Sequence, residues 1–249
     1  MVERQLPKLH TRVRFPSPAP FSARDGRRGS VNDDPNYYAN TRPEVAAFLP
    51  DGVTRVLEIG CGLGNFRRNF AAPVEYWGVE AVAAVAQLAG TRLDRVLAGS
   101  YREVCGSLPD GYFDLVVCND VIEHMDDHDR FLRDIQAKMR PGRSYLVGSV
   151  PNVRYITNLY GMLLRRDWQY VDAGILDRTH LRFFTERSLA RSLRQHGFTI
   201  ESLAGINRVE LGPRSMRYLV QATAAHLAAF VLGRDTLCAQ FAFRARLDH

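Results

Sequence analysis

Short apolar runs alternate with helix-like stretches along residues 55–150. The runs predicted to form strands are residues 55–59, 75–79, 95–98, 113–118 and 144–150. The run at 113–118 is apolar without a break after its start, which is typical of a strand covered on both faces. Helix-like stretches at 66–70, 81–89 and 126–139 separate the strands, so the pattern predicts an α/β fold with a doubly wound parallel sheet.

Six further segments complete this plan. Residues 41–49 predict a short helix with Thr41 as its N-cap, and residues 185–197 predict a helix capped by Thr185. Two last strands near 198–203 and 237–246 give a seven-stranded, Rossmann-like sheet. An amphipathic helix is expected at about 214–232, covering the sheet or a substrate. Residues 153–176 are not needed for a minimal sheet of this kind, so we interpret them as an insertion after the fifth strand. Such an insertion would lie at the carboxyl edge of the parallel strands, where a lid or an acceptor pocket is expected.

A glycine-rich turn follows the first strand. Gly60, Gly62 and Gly64 are spaced two apart and lead into a helix-like stretch, so a flat, nucleotide-like ligand could lie against bare backbone. Glu58, which we assign to this turn, would repel a pyrophosphate and attract an ammonium or sulfonium group. Glu80 ends the second strand at the distance where an acid accepts hydrogen bonds from ribose hydroxyls.

This motif, with its two acids, resembles class I S-adenosylmethionine-dependent methyltransferases. The resemblance implies S-adenosylmethionine as the cofactor and an antiparallel last strand. At the position of Ser100 the family commonly has an aspartate that holds the adenine amine, so adenine would instead contact backbone and Tyr101. The residues predicted to bind the cofactor are Glu58, Gly60, Cys61, Gly62, Gly64, Glu80, Ala81, Ser100, Tyr101 and Asn119.

Two histidines are the candidate catalytic bases. They are His124 and His180, chosen because histidine in general titrates near neutral pH and a hydroxyl acceptor needs a group that takes its proton. With Asp120 and Glu123 they resemble the metal set of small-RNA 2′-O-methyltransferases and polyprenyl-catechol O-methyltransferases, which implies Mg²⁺ or Mn²⁺. Asp120 is one methylene shorter than the glutamate of that set. In many such enzymes the histidine merely packs beside the cofactor, and that alternative stays open.

The acceptor is predicted from weaker similarity. Residues 151–155 and 174–185 resemble a bacterial methyltransferase group associated with glycan and surface-polysaccharide assembly. Four aromatic residues of the insertion could stack on sugar faces or line the underside of a lid: Tyr155, Tyr160, Trp168 and Tyr170. We therefore expect O-methylation of a hydroxyl on a saccharide or glycoconjugate. The alternatives are metal-assisted methylation of a catechol or terminal ribose, a cofactor-binding partner subunit without turnover, and a nicotinamide dehydrogenase.

The charge distribution limits the classes of molecule that we expect this protein to bind. The chain has 249 residues and a net charge of +6, but residues 1–30 contain seven Lys/Arg and two acids, which accounts for five of those charges. Residues 1–36 are thus read as a disordered basic tail or as residues before the native start, and 37–249 as the methyltransferase domain. The near-neutral remainder argues against a nucleic-acid partner and leaves a small-molecule or glycan acceptor.

The compartment follows from cysteine usage and hydropathy. The four cysteines form no Cys-x-x-Cys pair, which favours free thiols in a reducing cytoplasm. No run of 18 apolar residues occurs, so no transmembrane segment is expected. Peripheral membrane contact through the helix near 216–232 stays possible on this reading, and the oligomeric state stays open.

Overall fold

The computed structural model describes residues 41–210 and 216–247. The predicted tail at 1–36 and the first two residues of the helix predicted at 214–232 lie outside this part of the chain. The described residues fold into one β-sheet with helices on both of its faces.

The sheet has seven strands in the order β3-β2-β1-β4-β5-β7-β6. Its strands are β1 Arg55–Ile59, β2 Glu75–Glu80, β3 Arg95–Ala98, β4 Leu115–Asn119, β5 Ser144–Pro151, β6 Phe198–Arg208 and β7 Cys238–Leu247. Strands β1 to β5 are parallel, and β7 pairs antiparallel with both β5 and β6. The predicted doubly wound α/β fold with an antiparallel last strand is confirmed.

Seven helices flank the sheet in the described residues. They are α1 Pro43–Ala46, α2 Ala83–Ala89, α3 Tyr101–Val104, α4 His128–Lys138, α5 Ile156–Tyr160, α6 Glu186–Gln195 and α7 Met216–Leu232. Separate apolar clusters pack on the two faces of the sheet, one with Phe131 and Leu193 of α4 and α6, the other with Val45 of α1. Burial on both faces explains the unbroken apolar runs of the central strands.

Several local predictions were wrong in detail. The stretch predicted as a helix at 66–70 is a 3₁₀ turn, Asn65–Asn69. Helix α1 is preceded by Arg42 in the left-handed region (φ 50°), so Arg42 rather than Thr41 occupies the N-cap. Helix α4 begins at His128, and Asp127 is its N-cap residue. The Asp127 carboxylate accepts the Arg130 N–H at 2.9 Å, which fixes the start of the helix.

The insertion after β5 is partly helical. Helix α5 continues into a π-helical turn, Gly161–Arg165, and an isolated bridge joins Val171 to Asp177. Because β5 ends at Pro151, this segment starts from the carboxyl edge of the parallel strands. Among the described residues, no helix combines the length and the apolar character needed to cross a bilayer.

Candidate functional site

The glycine turn lies between β1 and the 3₁₀ turn that follows. Gly60, Gly62 and Gly64 have φ values of 70°, 52° and 74°, in the region that favours glycine. A Cβ at Gly60 would lie 2.9 Å from Val121, and one at Gly64 would lie 2.9 Å from Leu93. Both the backbone conformation and the space around it therefore require glycine at this turn.

Glu80 lies directly against this turn. Its carboxylate accepts the N–H of Gly62 at 3.0 Å and the N–H of Val82 at 2.9 Å, one through each oxygen. Each oxygen keeps a further lone pair, so the carboxylate can still accept hydrogen bonds from two hydroxyls. Ala81 follows at the same edge and is exposed. The carboxylate is thus compatible with the predicted ribose contact, which stays a prediction.

Glu58 lies in β1, not in the turn. Its side chain is buried at 3% exposure and accepts a hydrogen bond from the Tyr76 hydroxyl at 2.9 Å. Burial raises the pKa of Glu58 to about 8, although the Tyr76 hydrogen bond acts in the opposite direction. The prediction that a charged Glu58 faces the ligand from the turn is thus wrong about its position, and burial disfavours the charge.

The predicted adenine contacts have internal partners. The Ser100 hydroxyl donates to the Glu103 carboxylate at 2.8 Å at the start of α3. Tyr101 is 6% exposed, and its ring packs edge-on against Phe131 with centroids 5.0 Å apart. Cys61 is also buried, and burial raises the pKa of its thiol well above the usual range. The Ser100 hydroxyl and the Tyr101 ring thus contact other residues of the protein, and the contact of Ser100, Tyr101 and Cys61 with the cofactor stays a prediction.

Asn119 provides an observation that points to a ligand. It ends β4, and its side-chain oxygen and nitrogen are buried without a hydrogen-bond partner among the described residues. A buried amide left in this state costs free energy unless another molecule satisfies it. Together with the bare turn and the Glu80 carboxylate, this amide fits S-adenosylmethionine, whose hydroxyls and amine can bond to such groups.

A charged network that the sequence did not predict lies beside Asn119. Asp120 (φ 54°) accepts hydrogen bonds from Arg42 Nη1 at 2.6 Å, Ser149 Oγ at 2.8 Å and Gln240 Nε2 at 2.7 Å. Burial acts to raise the pKa of Asp120, but the charge of Arg42 and the hydrogen bonds from Ser149, Arg42 and Gln240 together hold the pKa below its usual value. These partners come from three distant parts of the sequence, and no local pattern marks them.

The other three residues of the predicted metal set come together. One ligand atom each from Glu123, His124 and His180 lies within 4.8 Å of the others. Asp120 does not belong to this group, because its carboxylate pairs with Arg42 instead. Glu123 is fully buried, and neither of its carboxylate oxygens has a hydrogen-bond partner in the described chain. Burial, aided by the charge of Asp120, raises its pKa well above the usual value.

The two imidazoles contact each other edge-on, with ring centroids 4.7 Å apart. His180 is 9% exposed, and its Nδ1 lies 3.0 Å from the Ile175 carbonyl oxygen. In neutral His180 this contact assigns the proton to Nδ1, which leaves the lone pair on Nε2. Burial, and then the neighbouring His180, lower the pKa of His124. The lowered pKa favours the neutral form of His124, whose ring can then accept a proton or bind a cation.

Backbone contacts hold His180 in place. The Glu123 carbonyl oxygen accepts the N–H groups of Leu181 at 2.8 Å and Arg182 at 3.0 Å. The Asp177 carboxylate accepts the Thr179 N–H at 2.8 Å, which tightens the turn before His180. The loop at 177–182 is thus fixed to the 3₁₀ turn Ile122–His124 that follows β4.

A seven-stranded sheet of this order, with a glycine turn after β1 and an acid at the end of β2, defines the class I methyltransferase fold, which binds S-adenosylmethionine. A family model described as a methyltransferase domain matches residues 24–203. The chain belongs to this methyltransferase family.

Solved structures agree on the fold. A SAM-dependent methyltransferase from Archaeoglobus fulgidus is 22% identical, with a TM-score of 0.60 over 85% of this chain and 93% of that one. A complex between the Haloferax volcanii Trm112 methyltransferase activator and a methyltransferase is 13% identical, with a TM-score of 0.61 over 84% of this chain and 89% of that one. The [4+2]-cyclase SpnF is 20% identical, with a TM-score of 0.52 over 83% of this chain and 79% of that one. Since a cyclase shares the fold, the fold alone does not define the reaction.

Proposed function

We propose that this methyltransferase transfers the methyl group of S-adenosylmethionine to a hydroxyl of a saccharide or glycoconjugate. The observation that supports this most directly is the geometry of His180. Its Nδ1 is engaged by the Ile175 carbonyl, so Nε2 is available to take a proton. A hydroxyl acceptor needs such a base more than a basic amine does.

In this proposal the glycine turn, Glu80 and Asn119 hold the cofactor. When bound, S-adenosylmethionine supplies an electrophilic methyl group on a positively charged sulfur. The acceptor oxygen would take this methyl group, and the electron pair of the broken carbon–sulfur bond would stay on sulfur. His180 Nε2 takes the hydroxyl proton, and the neighbouring His124 lies close enough to relay it to solvent.

Aromatic side chains of the insertion support a saccharide acceptor. Tyr170 is 50% exposed, so its ring is available for stacking on a sugar. Tyr160 is 51% exposed, but the Arg165 guanidinium lies over its ring, 5.4 Å from the centroid. Trp168 packs edge-on against Phe183, with centroids 5.2 Å apart, and Tyr155 is half-buried. We expect Tyr170 to contact the acceptor and Trp168 and Tyr155 to support the insertion.

The test measures cofactor binding and methyl transfer separately. His180→Ala should lower the rate of transfer from labelled S-adenosylmethionine by ~100-fold or more, while the calorimetric affinity for the cofactor stays near that of the native protein. Glu80→Ala should instead weaken that affinity. His196→Ala, at the end of α6 and bonded to Ser192 at 2.8 Å, is the control and should remain active.

Acceptor classes are compared in the same assay. Saccharides, catechols and ribonucleosides are offered in parallel, and methylation of saccharides is expected. Transfer only to a catechol or a ribose would overturn the saccharide assignment in favour of the other acceptor. Cofactor binding without transfer to any acceptor would instead favour a non-catalytic partner subunit, the role that an activator-bound relative makes worth testing.

The unpartnered Glu123 carboxylate favours a second candidate, metal-assisted O-methylation. One carboxylate and two imidazoles within 4.8 Å suit a divalent ion such as Mn²⁺ better than Mg²⁺, which prefers oxygen ligands. The ion would satisfy Glu123 and lower the pKa of a chelating acceptor hydroxyl. Two vicinal hydroxyls, as on a catechol or a ribose, are then needed.

Metal binding has a readout that does not depend on activity. Mn²⁺ should raise the melting temperature of the native protein, and Glu123→Gln should abolish that increase. Asp126→Asn, at an exposed carboxylate, serves as the control and should keep it. No increase for the native protein, or an equal increase for Glu123→Gln, would eliminate this candidate.

A further inference from the structure

One side of the molecule exposes large apolar side chains from two segments. We call this side the apolar face. From the insertion it contains Tyr160, Met162, Leu163 and Leu164, and from α7 it contains Leu219, Val220, Leu227, Phe230 and Val231. Phe230 is 92% exposed, Val231 82% and Leu164 73%, which is unusual for side chains of this type.

Helix α7 buries its small side chains and exposes its large apolar ones, whereas a surface helix ordinarily buries its large apolar side chains. Its small residues Ala222, Ala225 and Ala229 face inward, and its large apolar residues face outward. Spacings of four, three and four residues place Val220, Ala224, Leu227 and Val231 on one stripe. The predicted amphipathic cover over the sheet therefore presents its apolar side to the outside.

The two segments are adjacent in the fold. Ala225 and Ala229 of α7 pack in a small apolar cluster with Ile156 of α5. Arg154, just before α5, donates to the Leu232 carbonyl at the end of α7 and pairs with Asp235 at 2.6 Å. The exposed residues of α7 and of the insertion thus belong to neighbouring, connected elements.

The charges beside the apolar face are mainly positive. Residues 153–166 and 216–234 contain no aspartate or glutamate, and Asp167 follows directly after Arg166. Exposed arginines lie at the margins, with Arg165 and Arg166 ending the insertion's apolar run and Arg234 following α7. Asp235, the first acid after α7, is already paired with Arg154.

We propose that the apolar face docks on the surface of an anionic lipid bilayer, with α7 lying flat in the headgroup region. Apolar side chains would enter the acyl boundary, and the marginal arginines would contact anionic headgroups. A two-fold dimer through the same face would bring like-charged margins together, whereas anionic lipid neutralises them. Charge complementarity therefore favours lipid over a second copy.

The position of this face relative to the site has a consequence. The insertion begins directly after Asn152, at the carboxyl edge that also holds Asn119 and the histidine pair. A docked molecule would hold that edge close to the bilayer, where a lipid-linked acceptor could reach it. The docking itself does not depend on which acceptor is used, so the two proposals are tested separately.

Vesicle co-sedimentation of the full chain tests the docking. Binding is expected to vesicles of phosphatidylcholine mixed with phosphatidylglycerol, and to be weak with phosphatidylcholine alone. The double variant Phe230→Ser/Val231→Ser should lower the affinity for mixed vesicles by ~10-fold or more, because it removes buried apolar area. Arg165→Gln/Arg166→Gln should lower it by roughly 5-fold or more and reduce the dependence on anionic lipid.

Controls separate this proposal from two others. Leu88→Ser changes a residue of α2 that is 55% exposed, and it should bind vesicles like the native chain. Melting temperatures of all variants should match, since the altered side chains are on the surface. Unchanged binding of the Phe230/Val231 variant would assign attachment to other basic residues and overturn the proposal. Self-association that this variant abolishes, without any vesicle binding, would also overturn it.

Discussion

Burial decides the role of Glu58. From the sequence alone, a carboxylate two residues before a glycine turn is predicted to contact the ligand as a charged group. In the fold its position is the fourth of five residues in β1, between β2 and β4, with Tyr76 as its hydrogen-bond donor. Desolvation then raises its pKa to about 8, so the group beneath the turn is largely protonated at neutral pH.

This shift makes the stability of the protein depend on pH. The pKa of Glu58 is about 8 in the folded state and 4.5 as its ordinary value, so the folded chain binds the proton more tightly. The stabilisation is fully present below pH 4.5 and is lost as the pH rises toward 8. Glu58→Gln should remove this loss, and its stability relative to the native protein should increase by up to about 4 kcal/mol between pH 5 and pH 8.

Urea unfolding at pH 5, 6.5 and 8 measures the effect without cofactor. Glutamine keeps an oxygen that can accept the Tyr76 hydroxyl, so the comparison isolates the ionisation. Glu186→Gln, at an exposed position in the first turn of α6, should follow the native pH profile. If Glu58→Gln also follows it, the carboxyl group is not held protonated.

At the scale of elements, Arg42 connects the start of the described chain to the site. It occupies the N-cap of α1 with φ 50°, and its guanidinium bonds to Glu44 within α1 and to Asp120 after β4. It also donates to Ser149 of β5 at 3.0 Å. One side chain thus joins α1 to two central strands where they end.

Arg42→Ala should destabilise the protein by about 2 kcal/mol, because it leaves the partly buried Asp120 without its cation. Arg102→Ala is the matched control. Arg102 pairs with Asp126 at 2.9 Å, but both side chains are about two-thirds exposed, so the loss should be well below 1 kcal/mol. Urea unfolding measures both, and equal losses would show that the Arg42 pair contributes no more than an exposed one.

At the scale of the whole molecule, periodic patterns predicted the sheet well. Apolar runs and the glycine turn depend on neighbours in sequence, so they revealed the strands, the parallel order and the cofactor edge. The antiparallel last strand came from family resemblance, not from the pattern. For the helix near 216–232 the sequence left both a cover over the sheet and membrane contact open, because hydropathy gives a helix an apolar face without saying what covers it.

The candidate site was predictable only in part. His124 and His180 contact each other at the sheet edge where the sequence predicted them. Asp120 instead pairs with Arg42, which is 78 residues away in the sequence. Gln240, which also bonds to Asp120, is 120 residues away. Such pairings depend on how distant elements meet in space, and no spacing rule within one segment records them.

The position of β7 has a consequence for how the chain is assembled during synthesis. β7 lies between β5 and β6, so β6 has no sheet partner among the described strands until residues 238–247 emerge from the ribosome. The Asp120 network also lacks Gln240 until then. A nascent chain can thus pair β1 to β5 early, but β6 can join the sheet only after β7 has been synthesised.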